Sequence, residues 1–150
     1  MRVLIQRVSR GAVSVGEQVV GEVGLGYVLL VGIGPGDDEA VAGRMASKVA
    51  NLRLFENEAG KFDRSLLEVG GGVLVVSQFT LWGDTRRGRR PSFAGAAQPG
   101  AAEPLYEYFA QAFRRLGVSS VETGRFGASM RVTIENDGPV TLWLDSERAE

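Results

Sequence analysis

The sequence contains neither cysteine nor histidine. The two absences together exclude disulfides, thiol nucleophiles, Cys/His zinc sites and Ser-His-Asp triads. Any catalysis must therefore use hydroxyls, amides, carboxylates, main-chain groups or the substrate itself, and neither a cofactor nor a metal is expected. Lysine is scarce too: Lys48 and Lys61 are the only two among 17 basic residues, the rest being arginine. No apolar run approaches the roughly 18 to 20 residues of a membrane span, and Met1-Arg2-Val3-Leu4-Ile5-Gln6-Arg7 lacks the apolar core of a signal peptide. A cytoplasmic protein with no membrane partner is expected. The formal charge of -1 leaves no net field to attract a polyanion, so any such affinity must come from local clustering. What is present, 150 residues of which 44% are hydrophobic and 23% charged, suits one globular domain over residues 1–150 with a real core.

The chain is organised around Val73 to Trp82. The β-rich run Val73-Leu74-Val75-Val76, entered through Gly70-Gly71-Gly72, reads as a strand buried on both faces. Ser77, Gln78 and Thr80 follow, where a core strand would stay apolar or stop. Polar groups inside a core cost about 1 to 3 kcal/mol each unless paired. These three either cap the strand or line a pocket.

Upstream, Val3 to Val8, Ala12 to Val15, Val19 to Val23 and Tyr27 to Ile33 predict an antiparallel meander turned at Gly16-Glu17 and Gly24-Leu25-Gly26. Asp37 or Asp38 is positioned to cap a helix with Val41, Met45, Val49 and Leu52 on its apolar face. The preceding Gly32-Ile33-Gly34-Pro35-Gly36 lacks the spacing and the terminal Lys and Ser/Thr of a phosphate loop, and reads as a connection. Leu52 to Phe55 alternates as a short strand, Asn57 to Gly60 is a turn, and Phe62 to Val69 leads back to the glycines. A long Gly/Ala/Arg/Pro loop runs from Gly83 to Glu103, a length at which loops tend to be functional. A second helix is predicted from Pro104 to Gly117, with Leu105, Phe109, Phe113 and Leu116 on one face. Ser120 to Gly124, Ser129 to Asn136 and Val140 to Leu144 read as three strands, and Ser146 to Glu150 as a fraying tail.

Three features could carry chemistry. In Asn136-Asp137-Gly138-Pro139-Val140-Thr141, Asp-Gly between alternating strands signals a hairpin, yet the following Pro removes a ladder donor. Either this is an edge-strand hairpin, or a cis Gly-Pro bond turns carbonyls outward as a recognition surface. Arg86-Arg87-Gly88-Arg89-Arg90-Pro91-Ser92-Phe93 sets four guanidinium groups beside an aromatic, either as a solvated loop or as a contact for RNA phosphates and bases. Arg7, between apolar neighbours, reads on its own as a snorkelling edge residue rather than a buried donor.

Ser77-Gln78-Phe79-Thr80-Leu81 and Asn136 to Thr141 resemble the two signature motifs of the D-aminoacyl-tRNA deacylase family. The resemblance extends through Gln6-Arg7-Val8, Asn51 to Phe55 and Gly88 to Phe93, across essentially the whole chain. It implies an α/β fold, a layered β/β/α sandwich of largely antiparallel or mixed sheets with two main helices outside. It also implies a homodimer whose site lies at the interface, where the cis Gly138-Pro139 pair of one protomer enters the pocket of the other and Arg7 holds that pair. By the same resemblance the substrate is the aminoacylated 3' end of tRNA. Its ester is hydrolysed to free D-amino acid and tRNA, glycyl-tRNA is cleaved as well, and the Gly-Pro pair rejects L-aminoacyl substrates. Ser77, Gln78, Phe79 and Thr80 would form the catalytic segment. Thr80 has been regarded in the family as a nucleophile, and later as secondary to main-chain groups and the 2'-hydroxyl of the terminal adenosine. The absence of histidine here agrees with the latter, since Thr80 has no obvious base. Gly138, Pro139 and Arg7 would bind substrate, and Arg86, Arg87, Arg89 and Arg90 the RNA. Against this esterase stand a noncatalytic RNA-binding module using the arginine loop, and a nucleotide-binding enzyme using the Gly32 to Gly36 turn.

Overall fold

Alternation of apolar residues drives the first third of the chain into strands β1 (Arg2–Val15), β2 (Gln18–Val23) and β3 (Gly26–Gly32) of the computed structural model, which describes residues 1–148. The two strands expected at Val3 to Val8 and Ala12 to Val15 are one strand of 14 residues. Ser9 and Arg10, which look like a break, are exposed, but the ladder to β8 (Arg131–Asp145) runs past them, pairing Val8 with Asn136 and Arg10 with Glu135. β1 keeps β8 along one edge while its other edge passes from β3, over Arg2 to Val8, to β2, over Gly11 to Val15. The predicted meander is therefore antiparallel, but with β1 between its two neighbours.

Asp38 accepts the Val41 N–H at 2.7 Å and caps α1 (Glu39–Asn51). Its neighbour Asp37 instead accepts from the Gly34 N–H, at 2.6 Å, and from the Met1 amino group. β4 (Arg53–Glu56) and β5 (Phe62–Ser65) form a separate antiparallel ribbon. One helical turn, α2 (Leu66–Val69), was not foreseen, although Ser65 and Glu68 make a reciprocal capping box and Gly70 closes it in the left-handed conformation. β6 (Gly72–Ser77) then runs parallel to β3, and β7 (Ser120–Thr123) parallel to β6. The long helix α3 (Pro99–Arg115) starts well before Pro104. Pro99 supplies the favoured first-turn proline, Ala102 N–H bonds to Gln98 O at 2.9 Å, and Pro104 lies early enough to forfeit one bond without ending the helix. Its buried face is Tyr106, Phe109 and Phe113, with Leu105 and Leu116 only half-buried.

Strand order is β2-β1-β3-β6-β7, with β8 branching onto β1. One face of this sheet, through Val3, Ile5, Leu29, Val31, Val73 and Val75, packs on α1 and α3. The opposite face, through Val28, Leu74 and Val76, meets Val8, Val13 and Val23 from the far half of β1 and from β2, with Val132 and Ile134 of β8 alongside. The long strands thus fold back as a second β layer, and β6 is buried on both faces, as its unbroken apolar run predicts. Phe109 and Phe113, edge to face at 5.0 Å, anchor the helix layer, and each buried phenylalanine contributes about 1.5–3 kcal/mol. The Gly32 to Gly36 turn is a packing surface: a side chain at Gly34 would collide with the Trp82 indole. The tail expected to fray from Ser146 is held as far as it is described, Ser146 N–H donating to Met1 O at 2.9 Å and Arg148 N–H to Asp145 O at 3.0 Å. Residues 149 and 150 of that prediction lie outside the described residues. Among the described residues no helix is long and apolar enough to cross a membrane.

Candidate active site

β6 ends where Gln78 N–H makes a last bond, 2.7 Å, to Val31 O. The chain then tightens into a 3-10 turn, Phe79–Trp82, with Leu81 N–H on Gln78 O at 3.2 Å and Gly83 N–H on Thr80 O at 2.9 Å. The first N–H groups of such a turn have no partner within it. Among the described residues those of Phe79 and Thr80 have no acceptor, so two main-chain donors sit side by side at the end of a rigid buried strand. Ser77, Gln78 and Phe79 line a cavity of about 520 Å³ together with Phe93, Phe126 and Met130. Of the two readings of the polar residues after Val76, the pocket is the one found for Ser77 and Gln78. Thr80 is exposed and outside that lining, and its hydroxyl accepts from Gln78 Nε2. No carboxylate or amine hydrogen-bonds to it among the described residues. No cluster of three or more acidic side chains forms a metal site among the described residues.

The arginine loop is joined to this pocket. Phe79, 58% exposed, meets Phe93 edge to face at 5.2 Å, and Asp84 and Ser92 exchange main-chain bonds of 2.8 and 2.9 Å that close the loop at its base. The four guanidinium groups are not equivalent. Arg86 grips Asp84 through Nε at 2.9 Å and Nη2 at 2.7 Å, and these bonds hold the Asp84 carboxyl down at about 2. Arg87, Arg89 and Arg90 are exposed and make no ion pair among the described residues.

The second motif is a bulge, not the hairpin that Asp-Gly signals. Between Gln6 and Val8 the partner on β8 jumps from Thr141 to Asn136, and both flanks remain antiparallel to β1. A hairpin would need the flanks to pair with each other; instead Asp137 to Val140 are extruded from one continuous strand. Gly138 has φ +121°, its bond to Pro139 is cis, and both residues are exposed. Asn136 closes the neck, its Nδ2 donating to Arg7 O at 3.0 Å and Val140 O at 3.1 Å.

Arg7 is a buried donor, 6% exposed, and the snorkelling reading is wrong. The β4-β5 ribbon lies over it and blocks its way to water: Nη1 donates to Leu54 O at 2.8 Å and Nε to Asp137 O at 3.2 Å, with the Glu56 and Asp137 carboxylates at 3.7 and 3.6 Å. Tyr27, opposite Arg7 on β3, stacks on Phe55, and its hydroxyl has no hydrogen-bond partner among the described residues. Burial pushes that hydroxyl's pKa well above its ordinary value, against the pull of Arg7.

The structure does not bring the two motifs together within one chain. Ser77 is level with Val31, Val3 and Leu144 across the sheet, whereas the bulge lies opposite Arg7. Strand spacings of ~4.8 Å and rises of ~3.3 Å per residue separate them by roughly 20 Å. Phe126 and Met130 were not foreseen in the pocket: Phe126 lies in an irregular segment, and Met130 falls just before β8, which starts at Arg131 rather than at Ser129 as expected, so both enter the cavity only through the fold. It also left out Asn136 as a positioning residue, although that residue opens the second motif.

The family model for D-Tyr-tRNA(Tyr) deacylase matches residues 4–145. The D-aminoacyl-tRNA deacylase of Roseiflexus sp. (strain RS-1) is 61% identical over 146 residues, 97% of this chain and 94% of that protein. The D-aminoacyl-tRNA deacylase of Thermus aquaticus is 57% identical over 146 residues, 97% of this chain and 95% of that protein. Among solved structures, a c-Myc DNA unwinding element binding protein superposes with a TM-score of 0.91 at 37% identity, covering 97% of this chain and 98% of that one. A probable eukaryotic D-amino acid tRNA deacylase superposes with a TM-score of 0.82, covering 95% and 97%; at 19% identity this speaks for the fold alone.

Proposed function

The chain belongs to the D-Tyr-tRNA(Tyr) deacylase family, and from that premise we propose that it hydrolyses D-aminoacyl-tRNA, and glycyl-tRNA with it, at a site shared between two copies of itself. The reaction is ester hydrolysis: water adds to the acyl carbon, the ester C–O bond breaks, and free amino acid and the tRNA 3' end leave. The terminal adenosine enters the cavity, where Phe79, Phe93 and Phe126 offer aromatic surface to its base. The N–H groups of Phe79 and Thr80 receive the carbonyl oxygen as it becomes an oxyanion; such donors are each worth about 2.7–4 kcal/mol. Thr80 packs and accepts from Gln78, and the 2'-hydroxyl of the substrate lies beside the ester as the proton acceptor that the chain lacks. Arg87, Arg89 and Arg90 hold phosphates, with Arg86 committed to Asp84. Residues 1–150 act as one domain, in the cytoplasm where the substrate is.

Gly138-Pro139 of the second copy completes the site. Its carbonyls take the α-ammonium, and its rigid ring lies where an L side chain would project. A filter that works by exclusion rejects L-substrates strongly while distinguishing D side chains weakly, and hydrogen, as in glycine, passes. The observation that carries this reading is the bulge: Arg7 and Asn136 hold it firmly in an exposed position, yet it is roughly 20 Å from its own Phe79–Trp82 turn at ordinary sheet spacings. Subunit mixing tests it. A variant disabled in the bulge, Gly138→Val, is combined with one disabled in the turn, Phe79→Pro, which removes one of the two N–H donors, each first shown to be inactive alone. Random reassortment of a symmetric dimer restores about a quarter of wild-type sites; no recovery in verified mixed dimers contradicts a shared site.

A further inference from the structure

The 3-10 turn that supplies the two N–H donors carries no charge of its own, and one residue of β1, paired with Gly32 of β3 beside the turn, grips it. We infer that Arg2 is a positioning residue that fixes the direction of the Phe79 and Thr80 N–H groups, an inference that rests on the oxyanion role proposed above for that turn. Arg2 Nη1 donates to Leu81 O at 2.9 Å, and its guanidinium carbon lies 3.9 Å from the Trp82 ring centroid and 5.8 Å from that of Trp143. Its Nε donates to Asp145 Oδ2 at 3.3 Å. Asp145 is buried, and its other oxygen accepts the Glu147 N–H at 3.1 Å, so the anchor is itself held. Arg2 thus ties a fixed carboxylate on β8 to a carbonyl and an indole of the turn. Leu81 N–H in turn bonds to Gln78 O, so a tilt at Leu81 is passed to the peptide planes just before it.

Two donors oriented by a remote clamp matter where charge develops, in the transition state, and little for binding tRNA through the adenosine cavity and the arginine loop. Arg2→Met keeps the stem against Trp82 and removes every donor; Arg2→Lys keeps a cation that reaches one of the two acceptors but not both. With D-aminoacyl-tRNA as substrate, Arg2→Met lowers kcat about 10- to 100-fold with KM within about 2-fold, the cost of a small misplacement. Arg2→Lys recovers kcat to within about 5-fold of wild type, and amide exchange over residues 79–83 accelerates in Arg2→Met and less in Arg2→Lys. An unchanged kcat in Arg2→Met, a loss carried mainly by KM, or Arg2→Lys no better than Arg2→Met overturns the inference. Should Arg2→Met fail to fold, Arg2→Lys decides: a kcat deficit at constant KM supports it and wild-type kcat overturns it. Wild-type protein that releases nothing from D-aminoacyl-tRNA refutes the functional reading itself, whereas active wild type with an indifferent Arg2 refutes only the clamp.

Discussion

Replacing Arg7 by methionine separates the buried-donor reading from the snorkelling one by its cost. Methionine keeps most of the stem's volume but removes the bonds to Leu54 O at 2.8 Å and Asp137 O at 3.2 Å. Bonds from a charged donor contribute about 1.5–3 kcal/mol each, and an orphaned buried acceptor costs about 1–3 kcal/mol. The ion pairs to Glu56 and Asp137 add little, because both carboxylates are about half exposed. Relief of guanidinium desolvation works in the other direction, leaving a net loss of about 2–4 kcal/mol. At about 2–4 °C per kcal/mol for a chain of this size, Tm falls by roughly 5–15 °C. Function suffers further, because Asp137 O is where the clamp meets the bulge: kcat on D-aminoacyl-tRNA drops about 100-fold or more. Arg7→Lys fares little better, since one ammonium cannot serve two carbonyls on different elements. The assays are thermal unfolding by circular dichroism at neutral pH and single-turnover ester release. Arg7→Met with a Tm within about 1 °C of wild type and unchanged activity would refute the assignment.

Thr80→Ala retains clear deacylation, because the side chain lacks a base; a trapped acyl-Thr80 ester in the wild type contradicts this. Replacing Arg87, Arg89 and Arg90 together with Gln raises KM and flattens the plot of log KM against log salt by about 0.7 per lost phosphate contact. Arg86→Gln alone changes that slope little, since Arg86 is already paired with Asp84; equal slopes for all variants return the loop to plain solvent exposure. With no histidine or cysteine in the chain, any inflection of kcat/KM between about pH 5 and 8 follows the α-amino group of the substrate rather than a catalytic side chain. The Asp84–Arg86 pair persists across that window: a carboxyl held down at about 2 keeps its charge above that value and loses the contribution only as pH falls through it. An inflection between about pH 5 and 8 that stays in place when the amine pKa of the substrate is changed contradicts the main-chain mechanism.

Patterns with a short period were legible in the sequence. The Val73 to Val76 run gave a strand buried on both faces, and the Asp37-Asp38 pair gave a helix cap, of which the structure uses Asp38. What was not legible depended on contacts between distant segments. Arg7 looks like an edge residue until the β4-β5 ribbon closes over it. Asp137-Gly138 looks like a hairpin because the same dipeptide serves a turn and a bulge, and only pairing of both flanks with β1 tells them apart. Pro104 looked like a helix start because a proline in the second turn resembles one in the first.

Chirality at the substrate's α-carbon is what the Gly138-Pro139 pair acts on in this mechanism. Initial rates of ester release are compared for D-tyrosyl-, L-tyrosyl- and glycyl-tRNA prepared on the same tRNA. D-tyrosyl- and glycyl-tRNA are cleaved at comparable rates and L-tyrosyl-tRNA at least about 100-fold more slowly, the difference expected from a steric filter. Cleavage of the L-ester as fast as the D-ester, or of none of the three, contradicts the account.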